Sequence, residues 1–449
     1  MKIYFYGGVE TVTGSNFLLE GFKEKLIIDC GLIQKERTCD LENFEDFEYN
    51  PAEIKAVLVT HAHLDHIGRI PKLIKDGFKG YIYSLKPTRD LAKEILEDSL
   101  KVIEENCAEY NKENFYTEKD IEQTLLRWDT VDYHQELNFD EFSAIFFQAG
   151  HILGSAFILI NHKPTNKKIV FSGDLGNKFK SLDSDLEPLP ETDYLVLEST
   201  YGDRNHENVK ERLNILERII ERVIKEKRVL IIPTFALERA QEIIYDIQSL
   251  IEDKKIPEIK MFLDSPLAYR ISKIYEKYPE YLDKEVKRII SAKGLFEKEY
   301  VKIINEKSEE KIIFESPAPK IILAGSGMVT GGRIIDLLKK YIEDEKTTIL
   351  FIGFQAENSL GRKILEGAKE IYLDDKEYKV RAEVLSLLSY SAHRDQSGIL
   401  EWIYPQRFIL KKIFLTHGDQ KVKEIFRLKI MDEYAIDVYI PQKSQFFEL

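Results

Sequence analysis

A histidine-rich loop that directly follows a short apolar strand sets the tightest limit on the fold of this chain. Residues 56–59 are Ala-Val-Leu-Val, and residues 60–66 read THAHLDH. Three imidazoles and one carboxylate lie within six positions, although the 449 residues include only nine histidines. Nitrogen and oxygen donors suit zinc and similar divalent ions, and four so close together do not easily serve one tetrahedral ion. The loop predicts two adjacent metal ions at a strand end.

Other ligand-type residues also stand where predicted strands end. His151 separates the apolar runs 144–147 and 157–160, Asp174 follows the run 169–171, and His417 follows the run 412–415. This repeated placement indicates one site at an edge of a β-sandwich. The histidines without such a setting are predicted to be surface residues: His134, His162 and His206.

Composition excludes several classes of protein. The chain is long enough for two or three domains, and its hydrophobic fraction of 43% is too high for disorder. A net charge of −13 argues against coating nucleic acid or anionic membrane by bulk charge, although a local basic cleft is compatible with it. Cys30, Cys39 and Cys107 have unrelated spacings, which predict neither a disulfide framework nor a structural zinc module and indicate a reducing, cytoplasmic location.

One charge-free stretch, residues 142–160, is nominally long enough to cross a bilayer. Its centre is the polar sequence Gln-Ala-Gly-His at 148–151, so we interpret it as two buried strands flanking a loop. The N-terminal apolar run is short and is interrupted by Gly7, Gly8 and Glu10, unlike a signal peptide. We therefore predict a soluble protein without membrane association.

The pattern of strands and helices changes at about Tyr201. Short β-branched runs dominate before it, interrupted by a helical block from Arg89 to about Asn111. After it, strands and helices alternate, which indicates a parallel sheet covered by helices. The alternating elements are helices at 208–227, 238–251, 268–277 and 334–342 and strands at 229–232, 260–263, 320–323 and 348–352; short strands return at 383–387, 412–415 and 437–440. The order predicts a β-rich domain that an α/β domain interrupts.

An ordered set of motifs resembles the metallo-β-lactamase-fold nucleases of the β-CASP group, which include RNase J and the nuclease subunit of the cleavage and polyadenylation specificity factor. Asp29 and the loop 61–66 resemble the first two motifs of that group. Later motifs match at His151, Asp174, Glu198 in LESTYGDR, His393 in YSAHRDQ and His417 in LTHGD, and the sequences PTFALERAQE, DSPLA, GSGMVTGGR and GFQAENSLGR resemble its inserted domain.

The resemblance implies a metallo-β-lactamase αββα sandwich interrupted by a parallel-sheet β-CASP domain, with domains at 1–203, 204–368 and 369–449. It also implies two Zn²⁺ per chain. One zinc would be held by His61, His63 and His151, and the other by Asp65, His66 and His417. Asp174 would bridge the two ions, and Asp29 would orient the ligand loop.

The same resemblance implies hydrolysis of single-stranded RNA by attack of a hydroxide that two metal ions share, which leaves a 5′-phosphate. Asp65 and Asp174 would support that attack. His393, paired with Glu198, would protonate the departing 3′-oxygen. Phosphate contacts are expected from Arg239, Arg333 and Arg362 and from Ser326 and Gly327 in a Gly-rich turn, although that turn is also explained by tight packing alone.

Three alternative functions stay open. A DNA nuclease of the same fold is the main alternative, because the choice of RNA depends on the resemblance of His417 to the RNA-processing branch. A small-molecule hydrolase would not need the inserted domain, and a non-catalytic scaffold would not need the metal ligands. Endonuclease and 5′→3′ exonuclease action are both compatible with the motifs, as are a homodimer and a role in an RNA-processing complex. The first strand is expected at about Lys2, so any sequence preference would come from the core of the protein or from a partner.

Overall fold

The computed structural model describes residues 1–34, 40–107, 114–178, 180–182, 184–206, 211–293, 298–353, 355 and 359–449. The chain divides into two compact units. The sandwich unit comprises residues 1–178, 184–205 and 392–449, and the insert unit comprises residues 179–183 and 206–391. Cys39 and the predicted start of a helix at 208 lie outside the described residues.

Most strands are apolar runs that end at polar or glycine-rich turns, as their sequences predict. They are β1 (Lys2–Gly7), β2 (Asn16–Glu20), β3 (Lys25–Ile28), β4 (Ala56–Leu58), β5 (Tyr81–Leu85), β6 (Trp128–Val131), β7 (Glu136–Asn138), β8 (Phe142–Gln148), β9 (Ala156–His162), β10 (Lys167–Phe171), β11 (Tyr194–Glu198), β12 (Val229–Pro233), β13 (Lys260–Asp264), β14 (Val301–Ile303), β15 (Lys320–Ala324), β16 (Thr347–Phe351), β17 (Glu370–Leu373), β18 (Lys376–Lys379), β19 (Glu383–Ser386), β20 (Lys412–Thr416), β21 (Asp437–Tyr439) and β22 (Gln445–Glu448).

The helices connect these strands or flank them. They are α1 (Leu64–Ile67), α2 (Ile70–Lys75), α3 (Lys86–Cys107), α4 (Glu118–Leu126), α5 (Arg212–Glu226), α6 (Arg239–Glu252), α7 (Pro266–Lys277), α8 (Lys284–Lys293), α9 (Glu310–Glu315), α10 (Ile334–Tyr341), α11 (Leu360–Leu365), α12 (Gln396–Ile403) and α13 (Gln420–Tyr434). Within the described residues, no helix has the length and hydropathy that a bilayer span requires.

Two mixed sheets form the sandwich unit. One has the strand order β22-β1-β2-β3-β4-β5-β6, and the other has the order β21-β20-β11-β10-β9-β8-β7. Aromatic side chains pack between them: the ring of Phe5 lies 5.3 Å from that of Phe414, and the ring of Phe17 lies 5.9 Å from that of Phe171. The core therefore sits between the sheets.

The C-terminal ends of three adjacent strands meet at one edge of the second sheet. Strand β11 pairs in parallel with both β10 and β20, and Glu198 at the end of β11 lies opposite Thr416 at the end of β20. The residues that directly follow these strands are thereby brought together, which is where a binding site forms in parallel sheets.

The insert unit is built on a six-stranded parallel sheet of order β14-β13-β15-β12-β16-β19, with a separate hairpin of β17 and β18. Its central strands are buried apolar runs, as expected for a parallel sheet covered by helices. Strand β19 belongs to this sheet because it pairs with β16. The compact insert unit extends to residue 391.

The predicted fold class is confirmed, and residues 142–160 are two strands flanking a loop. Two predictions are wrong. His162 is 0% exposed, not a surface residue, because its ring packs 5.1 Å from the ring of Phe142. The expectation that the cysteines are reduced is wrong for Cys107, which is disulfide-bonded. Cys30 is a free buried thiol.

Candidate metal centre

Residues 60–66 leave the C-terminal end of β4 and enter the short helix α1. Helix α1 begins at Leu64, so Asp65 and His66 occupy its first turn while His61 and His63 precede it. The backbone of Asp65 is tied to the β1–β2 connection, because its carbonyl oxygen accepts from the amide of Ser15 at 2.9 Å. This contact holds the backbone of Asp65 beside the β1–β2 connection.

The first cluster of donor atoms contains three histidine nitrogens. His63 Nδ1 lies 3.1 Å from His61 Nε2 and 3.2 Å from His151 Nε2. Asp174 Oδ2 completes the cluster at 3.4 Å from His61 Nε2 and 3.5 Å from His151 Nε2. These residues form one of three groups able to hold a metal ion in the described part of the chain.

The second cluster lies on the other side of the same carboxylate. His417 Nε2 is 3.0 Å from Asp65 Oδ2, and His66 Nε2 is 3.7 Å from that oxygen. Asp174 Oδ1 lies 3.4 Å from His66 Nε2 and 3.6 Å from His417 Nε2. Asp174 therefore presents one oxygen to each cluster.

The donor spacings fit two tetrahedral ions. A zinc ion with bonds of about 2.0–2.1 Å has ligand atoms roughly 3.3 Å apart, the edge of the tetrahedron. The donor–donor distances of both clusters, 3.0–3.7 Å, scatter around this edge. His66 Nε2 and Asp174 Oδ1 are fully buried and have no hydrogen-bond partner among the described residues, which is the state expected of atoms reserved for a metal ion.

Hydrogen bonds to the second ring nitrogen orient three of the ligands. His66 Nδ1 lies 2.7 Å from Asp29 Oδ2, and His61 Nδ1 lies 3.0 Å from the hydroxyl of Thr60. The same hydroxyl donates to Asp29 at 2.8 Å. His417 Nδ1 lies 3.1 Å from the hydroxyl of Thr200. These contacts leave Nε2 of each ring for the metal ion, as is usual in zinc sites.

The electrostatic environment suits metal ligation by the first cluster. Burial lowers the pKa of His61 and holds the pKa values of His63 and His151 well below the ordinary value, so these rings are neutral. At His66 and Asp174, attraction between opposite charges outweighs the effect of burial on the pKa. Burial favours their neutral forms, but their mutual attraction and that of neighbouring groups raise the pKa of His66 and lower that of Asp174.

Glu198 and His393 adjoin the clusters. His393 Nδ1 lies 3.1 Å from Glu198 Oε2, and Glu198 Oε1 accepts from the backbone amide of Leu175 at 2.6 Å. Burial lowers the pKa of His393, but Glu198 and Asp174 outweigh it and raise that pKa to about 9. Glu198 and His393 also form a possible metal group with Asp174 and His417. The Glu198 carboxylate thus already accepts from an amide and lies within hydrogen-bond distance of an imidazole.

The backbone holds His393 in place. Residues Gly176 and His393 form an isolated antiparallel bridge, and the amide of Arg394 donates to the carbonyl of Leu175 at 2.7 Å. The ring of His393 lies 4.7 Å from that of His151 and 5.7 Å from that of His417. The side chain of His393 is 20% exposed, so its imidazole keeps access to solvent.

The residues expected to contact phosphate all lie in the insert unit. The three arginines among them differ in how far their guanidinium groups are already paired or buried. The guanidinium of Arg239 is buried against Glu238 and Glu242. Arg333 Nη1 lies 2.6 Å from Asp264 Oδ1, and its other nitrogen donates to a backbone carbonyl. The side chain of Arg362 is 42% exposed and pairs with Glu366 on its own helix.

The Gly-rich turn of the insert unit is held by its own contacts. The hydroxyl of Ser326 lies 3.2 Å from that of Thr330, and the carbonyl of Gly327 accepts from Gln355 at 2.9 Å. A side chain at Gly327 would meet Phe235 at 2.8 Å, so packing alone requires glycine at this position.

Sequence reasoning did not identify Thr60 and Thr200 as part of the site. Thr60 directly precedes His61, and this position next to the histidine loop is the signal that could have identified it. Thr200 is 217 positions from the histidine that it contacts, and only the parallel pairing of β11 with β20 brings the two together.

The fold and the two donor clusters define a metal-dependent hydrolase of the metallo-β-lactamase class. Three family descriptions match the chain in order: "Metallo-beta-lactamase superfamily" at residues 10–219, "Beta-Casp domain" at 240–364 and "Zn-dependent metallo-hydrolase RNA specificity domain" at 377–441. The chain belongs to the β-CASP family of metallo-β-lactamase-fold nucleases.

Similar proteins are known from bacteria and archaea. The chain is 33% identical to Ribonuclease TTHA0252 of Thermus thermophilus over 94% of each chain. It is 31% identical to an RNase J-like protein of Methanocaldococcus jannaschii over 98% of each chain. It is also 31% identical to the transcription termination factor FttA of Methanosarcina mazei, across 94% of this chain and 67% of the relative. A crystal structure of an Enterococcus faecalis protein of unknown function shares the fold, with a TM-score of 0.60 and 13% identity over 100% of this chain and 99% of that one.

Proposed function

We propose that this chain hydrolyses phosphodiester bonds of single-stranded RNA with two zinc ions and leaves a 5′-phosphate. The observation that carries the proposal is the position of Asp174, which offers one oxygen to a His61–His63–His151 cluster and the other to an Asp65–His66–His417 cluster. These residues would hold two ions, which would supply Lewis-acid activation of water and neutralisation of charge on the scissile phosphate. The donor set supports zinc, because imidazole nitrogen and carboxylate oxygen at tetrahedral spacing are its usual ligands.

His393 is the proposed general acid. Its Nδ1 faces Glu198, so the imidazolium can donate from Nε2 to the departing 3′-oxygen. With two ions bound beside Asp174, Glu198 would remain the carboxylate that favours the protonated ring of His393. Asp29 and Thr60 keep the ligand rings oriented throughout.

RNA is proposed as the substrate in preference to DNA because two relatives that match almost end to end carry ribonuclease names. The FttA relatives support a nucleic-acid substrate, but this chain covers only 67% of the Methanosarcina mazei protein, so transcription termination is not carried over. In the insert unit, Ser326, Gly327 and Arg362 are the proposed phosphate contacts.

Digestion of an internally labelled single-stranded RNA tests the proposal. The RNA carries either a 5′-monophosphate or a 5′-triphosphate, and a DNA of the same sequence runs in parallel. Mononucleotides from the monophosphate RNA indicate 5′→3′ exonuclease action, and discrete fragments from both RNAs indicate endonuclease action. Cleavage of DNA at an equal or higher rate, or no cleavage by zinc-loaded protein, contradicts the proposal.

A further inference from the structure

A buried lysine near the second metal cluster has no part in the reaction proposed above. Lys423 lies on α13, six positions after His417, and is 0% exposed. Its ammonium donates to the backbone carbonyl of Val9. Burying an ammonium is unfavourable unless its contacts offset the loss of water, and a methionine would fill similar space without that cost. The ammonium therefore calls for an explanation beyond packing.

Val9 belongs to the connection between β1 and β2, residues 8–15, which contacts the backbone of two metal-ligand candidates. The amide of His417 donates to the carbonyl of Gly8 at 2.6 Å, and the amide of Ser15 donates to the carbonyl of Asp65 at 2.9 Å. Both partners belong to the second cluster. No backbone hydrogen bond joins described residues of this connection to His61, His63 or His151.

His417 needs such support because its backbone is in the left-handed region, with φ of 48°. This region is strained for a residue other than glycine, so neighbouring contacts must hold His417 there. The Gly8 carbonyl is one of those contacts, and the Lys423 ammonium fixes the next carbonyl along the chain.

The base of the connection has little freedom. Gly8 has φ of 66°, and a side chain at Gly7 would meet the carbonyl oxygen of Gly14 at 1.9 Å. The two ends of the connection are therefore in backbone contact. A shift of Val9 would be transmitted to Gly8 and so to His417.

We propose that Lys423 is a positioning residue for the second metal cluster, acting through Val9 and Gly8 on His417. This inference rests on the proposed two-metal function. It predicts a selective effect: loss of the ammonium should weaken the metal held by Asp65, His66 and His417 and spare the metal held by His61, His63 and His151.

The test is Lys423→Met, with Lys421→Met as the control. Lys421 is exposed on the same helix, so the control makes the same change of charge without touching the connection. Each variant is combined with His63→Ala, which leaves the second cluster to bind, or with His66→Ala, which leaves the first. Zinc affinity is measured against a competing chelator, and the visible absorption spectrum is recorded with cobalt.

Lys423→Met should lower zinc affinity at the second cluster by at least 10-fold, the effect typical of groups that orient metal ligands, and leave the first unchanged. The cobalt spectrum of the second cluster should change as well. Equal affinities in Lys423→Met and Lys421→Met overturn the inference, as does an equal loss at both clusters. If Lys423→Met does not fold, Lys423→Gln is used, because it keeps a neutral donor; the same selective loss, of smaller size, is expected. Failure of the otherwise unaltered protein to bind two ions would instead contradict the proposed function.

Discussion

The proposed chemistry depends on one side chain that faces two donor clusters at once. Asp174 is 2% exposed, and its two oxygens face different donor clusters. An imidazole could not take this position, because its two nitrogens diverge and one is usually occupied by an orienting hydrogen bond. A carboxylate is therefore the side chain that the shared position requires.

Asp174→Ala should abolish RNA cleavage while the fold is kept. The substitution removes a donor from both clusters and leaves the histidines in place, so both zinc affinities should fall. Asp140→Ala is the control, because Asp140 is an exposed aspartate of the same unit. Zinc content by elemental analysis, cleavage rate and far-ultraviolet circular dichroism measure the three effects. Substantial cleavage by Asp174→Ala would contradict the shared role of this carboxylate.

His393→Ala should bind two zinc ions and RNA but cleave more slowly by roughly 10²–10⁴-fold, the usual contribution of a general acid. Glu198→Gln should slow the same step less, because the imidazole is kept and only its pKa falls. His134→Ala is the control, since the side chain of His134 is 57% exposed and pairs with Glu187. Single-turnover rates at fixed zinc content are the measurement.

A substrate with sulfur at the 3′-bridging position separates general-acid catalysis from a structural role of His393. Sulfur leaves without much protonation, so this substrate should restore most of the rate of His393→Ala. Loss of zinc in His393→Ala, or no rescue by the sulfur substrate with zinc content intact, would favour a structural role.

At the scale of elements, the site depends on how turns pack against the histidine loop. The turn that follows β3 passes directly beside α1: a side chain at Gly31 would meet the carbonyl oxygen of Asp65 at 1.6 Å and its carbonyl carbon at 2.1 Å. These are backbone atoms, so the contact cannot be relieved by a change of rotamer. Glycine at position 31 is therefore part of the geometry of the second cluster.

Gly31→Ala should displace the backbone of Asp65 and weaken zinc binding at the second cluster, with a loss of stability of about 1–3 kcal/mol from overpacking. Gly331→Ala is the control, because a side chain there would have no neighbour within 4 Å. Zinc affinity and the midpoint of denaturant unfolding are measured for both variants. A Gly31→Ala protein with unchanged zinc affinity would show that the turn can move away from α1 independently.

The sequence indicates the candidate ligands more readily than the residues that orient them. Each candidate ligand stands in a short motif at a strand end, and the ordered set of motifs resembles that of a known family, so these residues are visible as candidates in the sequence. The supporting contacts join residues distant in sequence: Thr200 is 217 positions from His417, and Lys423 is 414 positions from Val9. The pairing of β19 with β16 likewise could not be predicted, because a short apolar run carries no information about its partner strand.

At the scale of the whole molecule, the stability of the insert unit includes a buried cation whose effect depends on pH. Lys320 is 2% exposed, and its ammonium donates to the carbonyls of Ile313 and Ser316 at 2.5 and 2.7 Å and to the hydroxyl of Tyr341 at 3.0 Å. Burial, together with the charge of Lys340, lowers the pKa of Lys320 from 10.5 to about 8. The folded protein thus releases this proton at a lower pH than the unfolded chain does.

The lowered pKa of Lys320 makes the free energy of unfolding depend on pH. Below about pH 8 both states hold the proton, and the folded state bears the full cost of the buried charge. Between about pH 8 and 10.5 the unfolded chain holds more protons than the folded one, so the free energy of unfolding rises with pH. From pH 7.5 to 9.5 this group should contribute a gain of about 2 kcal/mol.

Lys320→Met should remove that gain. The variant loses the donor to two carbonyls, so it should be less stable than the unaltered protein at pH 7.5, and the difference between them should widen towards pH 9.5. Lys311→Met, an exposed lysine on α9, should follow the unaltered protein at both pH values. Apparent melting temperatures at several pH values, compared as differences between variants, cancel the contributions of all other titrating groups. A constant difference between pH 7.5 and 9.5 would mean that Lys320 keeps its proton in the folded state throughout this range.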